Sequence, residues 1–236
     1  LKYTLYNFTL SRKGDGPEEF FKGYRGYFVS DAYAGYNGLF KPVAGQPSLI
    51  MNSACWTHAR RYFVEAQNTA PRTATEILTM IALLYRIEAH IKHDPPEKKF
   101  VARQKDSAPI LAKIKPWLEG NLAAHLPQSP MRQAIAYSLG IWKELNTYLL
   151  DGRIPIDNNL AENAIRPIAL GRKNWLFVGS EAGGHTAAVL MTFCATCRKN
   201  KIDTWKYLKD VLQRIQAHPA SRLHELLPDQ WQAAHL

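Results

Sequence analysis

The sequence predicts an α/β protein with a long helical middle. Two apolar runs of strand length, at 27–30 and 48–54, each lead into a polar or helical segment. From Thr73 onward, Ile77, Met80, Ile81, Leu84 and Ile87 recur at helical spacing, as do Ile135, Leu139, Trp142 and Leu145 further on. After Gly152 the pattern returns to short segments punctuated by proline and glycine.

Taken in order, residues 3–10 alternate aromatic or branched side chains with others and predict a strand, followed by a turn at 13–17. Pro17 opens a short helix to about Lys22, with Glu18 and Glu19 where the helix dipole favours acids. The run 27–30 predicts a buried strand that delivers Asp31 at its C-terminal end, and 48–54 predicts a second strand feeding a helix over 56–68. Asp94, Pro95 and Pro96 with the charged stretch 97–106 predict a linker or exposed turn, and 108–118 a short helix. Residues 155–157 introduce a helix that Pro167 is expected to stop. Residues 174–178 predict a last strand, 181–184 a turn and 186–199 a buried helix. An amphipathic helix over 204–216 closes the pattern, with Trp205, Leu208, Val211, Leu212 and Ile215 on one face.

A formal charge of +10 over 236 residues exceeds what solubility needs and favours a polyanionic partner, nucleic acid first, through phosphate neutralisation. An apolar fraction of 46% allows a substantial core. Three cysteines cannot build a disulfide framework, which argues for a cytosolic setting. No stretch reaches the roughly 18 uninterrupted apolar residues of a membrane span, so no membrane partner is expected. Leu1 rather than Met at the start fits a piece of a longer chain.

Asp31 lies where open α/β sheets bind ligands, beyond the carboxyl ends of the strands; a turn aspartate supporting the loop 34–38 is the plain alternative. On the helix after Asp157, the residues Asn158, Glu162 and Arg166 share one stripe beside an apolar face of Leu160, Ala161, Ala164 and Ile165. Asp157 fits as the helix cap. Glu162 has its own plain alternative, an exposed acid paired to Arg166. Arg166, Arg172 and Lys173 surround a glycine turn ahead of Trp175 and Phe177, a combination suited to holding phosphates and stacking on bases, or simply a solvated basic loop.

Four stretches in order, 29–36 (VSDAYAGY), 55–61 (CWTHARR), 157–162 (DNNLAE) and 171–177 (GRKNWLF), together resemble the insertion-sequence sixty-six family of transposases of the carboxylate-triad (DDE) kind. The resemblance covers nearly the whole chain and implies a ribonuclease-H-like core, incomplete at the N-terminus, with a large helical insertion. It implies four segments: 1–68 and 151–184 as core, 69–150 as insertion and 185–236 as a small C-terminal helical domain. Asp31 and Glu162 map onto the second and third acids of the triad and would be catalytic and metal-binding. The first acid belongs to a strand earlier than 3–10, and Asp15, in a glycine loop, does not match it. The implied cofactor is a pair of Mg²⁺ or Mn²⁺ ions in the complete site. The implied partner is DNA, both element ends and target, with a homo-oligomer in the DNA complex. Arg60, Arg61, Arg166, Arg172, Lys173 and Trp175 would contact DNA, and His58 and Asn158 would support the site. The expected location is the bacterial cytoplasm, on the nucleoid when DNA is bound.

Cys55 and His58 are spaced like half a zinc site that Cys194 and Cys197 could complete, although the latter two sit in an apolar helical run where cysteine behaves as a small hydrophobe. Two other readings compete with transposition. One is a DNA-binding module without catalysis, and the other is a zinc-stabilised helical interaction protein.

Overall fold

The computed structural model describes residues 3–11, 13–42 and 48–234; Leu1, the basis for expecting a longer chain, lies outside them. Two compact units emerge, one formed by 13–160 and the other by 1–12 with 161–236. The described residues are mostly helical, with one two-stranded parallel sheet, an α/β composition in which helix outweighs strand.

In the first unit, helix α1 (Asp15–Phe20) precedes strand β1 (Gly26–Ser30), a 3₁₀ stretch (Ala34–Phe40) and strand β2 (Ile50–Ala54). The strands pair in register from Gly26 opposite Ile50 to Ser30 opposite Ala54. Their carboxyl ends therefore lie side by side, placing Asp31 and Cys55 at one edge. Helix α2 (Trp56–Glu65) leaves that edge directly, and a 3₁₀ turn (Ala66–Asn68) leads to α3 (Pro71–His90), which opens on the proline its first turn tolerates. Helices α4 (Pro96–Ala102), α5 (Ala108–Leu122), α6 (Pro130–Gly140) and α7 (Trp142–Asn146) complete the unit. Ser129 caps α6 by accepting the Arg132 N–H at 3.3 Å.

One core joins the sheet to these helices: Trp56, Ala59 and Phe63 of α2 meet Ile77, Ile81 and Leu84 of α3, Ile114 of α5 and Ile135 of α6. Each fully buried aliphatic side chain here contributes roughly 1.5–3 kcal/mol. Trp56 is pinned twice, its N–H donating to the Ile156 carbonyl at 3.1 Å and its Nε1 to the Leu145 carbonyl at 2.8 Å.

The stretch 97–106 is helical, where a linker or exposed turn was expected. Helix α4 passes through a π turn (Arg103–Ser107) into α5, and the turn buries Arg103. Its guanidinium makes two 2.7 Å bonds to the Glu88 carboxylate of α3 and donates to the Tyr148 and Asp151 carbonyls at 2.8 and 3.0 Å. Charge is admitted to the interior because every donor facing inward finds an acceptor. The stripe from Ile135 to Leu145 is also broken: α6 ends at Gly140 and α7 restarts at Trp142.

In the second unit, residues 3–10 form no strand. The segment runs beside helix α9 (Glu181–Lys199), described below, and threonines replace a ladder: Thr4 N–H donates to Thr196 Oγ1 at 3.2 Å and Tyr6 N–H to Thr192 Oγ1 at 2.9 Å. Helix α8 (Asn159–Trp175) starts at the end of the first unit and continues through Pro167, which was expected to stop it. Pro167 and Asn163 are both exposed, so water can satisfy the carbonyl that loses its donor. Residues 174–178 are likewise not a strand. Asn174 and Trp175 end α8, and Leu176 takes a left-handed conformation with φ 61°.

Helix α9 begins at Glu181, where a turn was expected, because Ser180 Oγ accepts the Gly183 N–H at 3.0 Å. A Cβ at Gly184 would meet the Phe8 ring at 2.6 Å, so glycine is required for this approach. Helix α10 (Thr204–Arg214), capped by Asp203, buries Tyr207 and Val211 against Cys197, Ile202, Leu226 and Trp231, the last from α11 (Pro228–Ala234). Trp205, Leu212 and Ile215, expected on the same apolar face, are exposed, and the helix ends at Arg214. No helix among the described residues is long and apolar enough to cross a membrane.

Candidate functional site

Asp31 follows the buried Ser30 at the end of β1, and its carboxylate is exposed. Its Oδ1 accepts the Tyr33 N–H and Ser30 Oγ accepts the Ala32 N–H, both at 3.2 Å. Ala32 adopts φ 59°, a conformation costing a β-carbon-bearing residue roughly 1–2 kcal/mol. Asp31 Oδ2 makes no hydrogen bond among the described residues.

At the neighbouring strand end, Cys55 is buried, and burial pushes its thiol pKa up. Its Sγ accepts the Asn158 N–H at 3.4 Å, which ties the segment leading into α8 to the edge that carries Asp31. Asn158 Oδ1 is buried with no hydrogen-bond partner. A second tie runs through Thr57, whose Oγ1 donates to Asp157 Oδ2 at 3.2 Å and lies 2.8 Å from the Tyr85 hydroxyl. Burial, above all, raises the Tyr85 phenol pKa. Asp157 itself accepts the Asn159 N–H at 3.2 Å and the Asn159 side-chain amide at 2.8 Å; because α8 starts at Asn159, it stands one residue before the capping position expected for it. His58 is half-buried in the first turn of α2, while Arg60 and Arg61 are exposed.

The remaining predicted residues belong to the second unit. Glu162 is half-buried on α8; Arg166, Arg172 and Lys173 are exposed along it. The helix ends in an exposed apolar tip of Trp175, Leu176, Phe177 and Val178, the Phe177 N–H donating to the Trp175 carbonyl at 2.7 Å. Asp31, His58, Arg60, Arg61 and Asn158 thus share one unit, and Glu162, Arg166, Arg172, Lys173 and Trp175 share the other.

The two halves of the zinc spacing are divided in the same way. Cys55 and His58 lie in the first unit, whereas Cys194 and Cys197 lie on α9, with Cys197 fully buried and its thiol pKa raised to about 11 by that burial. Among the described residues, no group of three or more His, Cys, Asp or Glu side chains is arranged to hold a metal ion. By type, Asp31 and Glu162 suit a hard cation, which prefers carboxylate oxygen. Sequence reasoning passed over Tyr62 of α2 and Tyr137 of α6, whose rings lie 4.6 Å apart at 46°. The available signal was Tyr137 lying within one turn of the core positions Ala134 and Ile135.

A carboxylate thus stands at the carboxyl edge of a parallel strand pair, beside a helix bearing exposed arginines, and comparison with known proteins supplies the class. The model of the Transposase IS66 family matches residues 1–186, and that of the IS66 C-terminal element matches 192–228. The chain belongs to the IS66 transposase family. Among curated proteins it is similar to three from Sinorhizobium fredii. Identity to protein y4hP is 36% over 98% of this chain and 44% of the relative. Identity to y4qI is 34% over 94% and 42%, and to y4jD 34% over 97% and 45%. The chain therefore spans less than half the length of these relatives. No solved structure matches it.

Proposed function

We propose that this chain carries the second and third acids of a DDE transposase catalytic region, Asp31 and Glu162. The complete protein then nicks the ends of its insertion sequence and joins the freed 3′ ends to target DNA. One observation carries the reading: Asp31 stands exposed at the carboxyl edge of a parallel strand pair, in a chain whose family is that of a transposase. The ancestry fits a ribonuclease-H-like core formed by 1–68 and 151–184, an insertion of 69–150 and a C-terminal domain of 185–236.

A pair of Mg²⁺ or Mn²⁺ ions about 3.5–4 Å apart would supply activation of the attacking oxygen and stabilisation of the leaving one. The protein's part is to bring carboxylate oxygens to that place and to hold the DNA in line. Asp31 Oδ2 is open for such a role, and the proposed supporting residues are Asn158, whose N–H donates to Cys55 Sγ at the same sheet edge, and His58, in the first turn of the helix that follows Cys55. Arg60, Arg61, Arg166, Arg172 and Lys173 supply the cations that neutralise phosphates, and Trp175 a ring for an unpaired base. A homo-oligomer on DNA in the bacterial cytoplasm completes the reading. Asp15 sits in helix α1 and does not stand in for the remaining acid. Two carboxylates alone hold divalent ions weakly, so the 236-residue chain by itself should nick DNA little or not at all.

The test is Mg²⁺-dependent nicking of insertion-sequence-end DNA. A protein of the relatives' full length should nick, and Asp31→Asn and Glu162→Gln should each abolish nicking. Robust nicking by the 236-residue chain that survives Glu162→Gln would remove the assignment.

A further inference from the structure

The first unit holds a cavity of about 720 Å³ at the amino ends of β1 and β2. Arg25, on its wall, immediately precedes β1, and Ile50, also on its wall, opens β2. The carboxyl edge that carries Asp31 lies four strand rises away, roughly 13 Å. The cavity is therefore separate from the proposed catalytic edge but built on the same two strands. Its volume falls within the range of about 300–1,000 Å³ that small-ligand sites occupy.

The walls divide by chemistry. Phe21, Tyr24 and the buried Ile50 supply an apolar side, with the Phe21 and Tyr24 ring centroids 5.6 Å apart at 65°. Tyr24 is held further: its hydroxyl donates to the Tyr27 carbonyl at 3.1 Å and lies 3.0 Å from where a Cβ at Gly26 would stand. Gly26 has φ 142°, so glycine serves both the backbone and the ring at this place. Three cations, Lys22, Arg25 and Lys41, line the same cavity against one acid, Glu18. Arg25 and Lys41 make no hydrogen bond or ion pair among the described residues, and Lys22 meets only the exposed Glu19, at 3.9 Å. Two other cavities have no such surplus: one sets Asp203 and Asp210 with Lys201 and Lys206, the other Glu97 and Asp151 with Arg153. Rings and spare cations on one cavity suit a ligand that is a flat base at one end and a phosphate at the other.

We propose that this cavity takes one unpaired nucleotide of the DNA strand, its base against Phe21 and Tyr24 and its phosphate on Arg25 and Lys41. The inference rests on the transposase reading for its DNA partner and adds a holding site remote from the chemistry. Nothing in it depends on a bound metal.

The experiment titrates the 236-residue chain into two fluorescein-labelled duplexes, read by anisotropy across a salt series. One duplex carries a single bulged deoxyadenosine and the other an abasic residue at the same place. Wild type should bind the bulged duplex about tenfold more tightly, the effect of one base stacked on a ring. Tyr24→Leu should reduce that preference to about one while affinity for the abasic duplex stays as it was. Arg25→Gln and Lys41→Gln should each weaken binding to both duplexes and lower the salt slope by about one, with the preference kept. Leu49→Trp, at a wall position that is 53% exposed, crowds the cavity without entering the core and should also erase the preference. It decides the matter if Tyr24→Leu lowers the thermal midpoint.

Equal wild-type affinity for the two duplexes, or a preference that survives Leu49→Trp, overturns the assignment; with salt-dependent binding intact, the transposase reading stands. An unchanged slope in both Arg25→Gln and Lys41→Gln overturns it too. So does free 2′-deoxyadenosine monophosphate binding as tightly as the bulged duplex, since the cavity would then belong to a free nucleotide. Absence of salt-dependent binding to either duplex overturns both readings together.

Discussion

Arg103→Met should be the most damaging single substitution away from the site. Arg103 is 2% exposed and Glu88 15%, so removing the guanidinium strands a largely buried carboxylate. It also leaves the Tyr148 and Asp151 carbonyls without their donor and ends the guanidinium contact over the Tyr148 ring, 5.1 Å from its centroid. Breaking one side of a buried pair costs about 3–5 kcal/mol. The partial exposure of Glu88 gives it some access to water and places the loss near the lower end, about 3 kcal/mol. At roughly 2–4 °C per kcal/mol for a chain of this size, the thermal midpoint should fall by about 6–12 °C. Urea denaturation followed by circular dichroism measures the free-energy loss, and a thermal scan the midpoint. The double variant Arg103→Met with Glu88→Leu should recover much of the loss, since an apolar pair of similar volume leaves no uncompensated charge. A loss below about 1 kcal/mol for the single variant, the size of an exposed ion pair, would refute the reasoning.

Leu176→Gly should raise the unfolding free energy from urea denaturation by about 0.5–1 kcal/mol, because it relieves φ 61° at a residue that is 70% exposed and buries little. Asp157→Ala should cost about 1 kcal/mol, measured in the same way, through loss of the donors it accepts at the start of α8. The side-chain and backbone bonds from Arg153 hold the Asp151 carboxyl at a pKa of about 2. A depressed carboxyl stabilises the fold above its unfolded pKa, about 3.9, and that contribution disappears as pH falls through about 2. Asp151→Asn should therefore lower stability slightly at pH 5–7 and match wild type at the acid end of a pH–denaturation series, the effect being small for so exposed a pair. Arg172→Gln and Lys173→Gln should each reduce the salt slope of DNA binding by about one, read by anisotropy.

Elements whose signal is local were legible in the sequence. The two strands, the capped helices and the position of Asp31 follow from apolar runs, periodicity and the residues that end them. The misread segments depend on partners that periodicity does not name. Residues 3–10 and 174–178 alternate like strands, but a strand needs a ladder, and threonines of α9 take that place for the first while the second turns at Leu176. The charged stretch around Arg103 looked solvated because its counter-ion, Glu88, lies 15 residues away on another helix. Pro167 was taken as a stop because sequence does not show that the carbonyl it orphans faces water. Asp31, Asn158 and Glu162 were singled out by their motifs alone, whereas the Tyr62–Tyr137 pair exists only because α6 packs on α2.

Counting bound Mn²⁺ by electron paramagnetic resonance, in a protein of the relatives' full length on insertion-sequence-end DNA, tests the shared metal role of Asp31 and Glu162 most directly. Wild type should hold two ions per active site, and Asp31→Asn and Glu162→Gln should each lose at least one while DNA affinity persists. Unchanged Mn²⁺ binding in either variant would contradict the account.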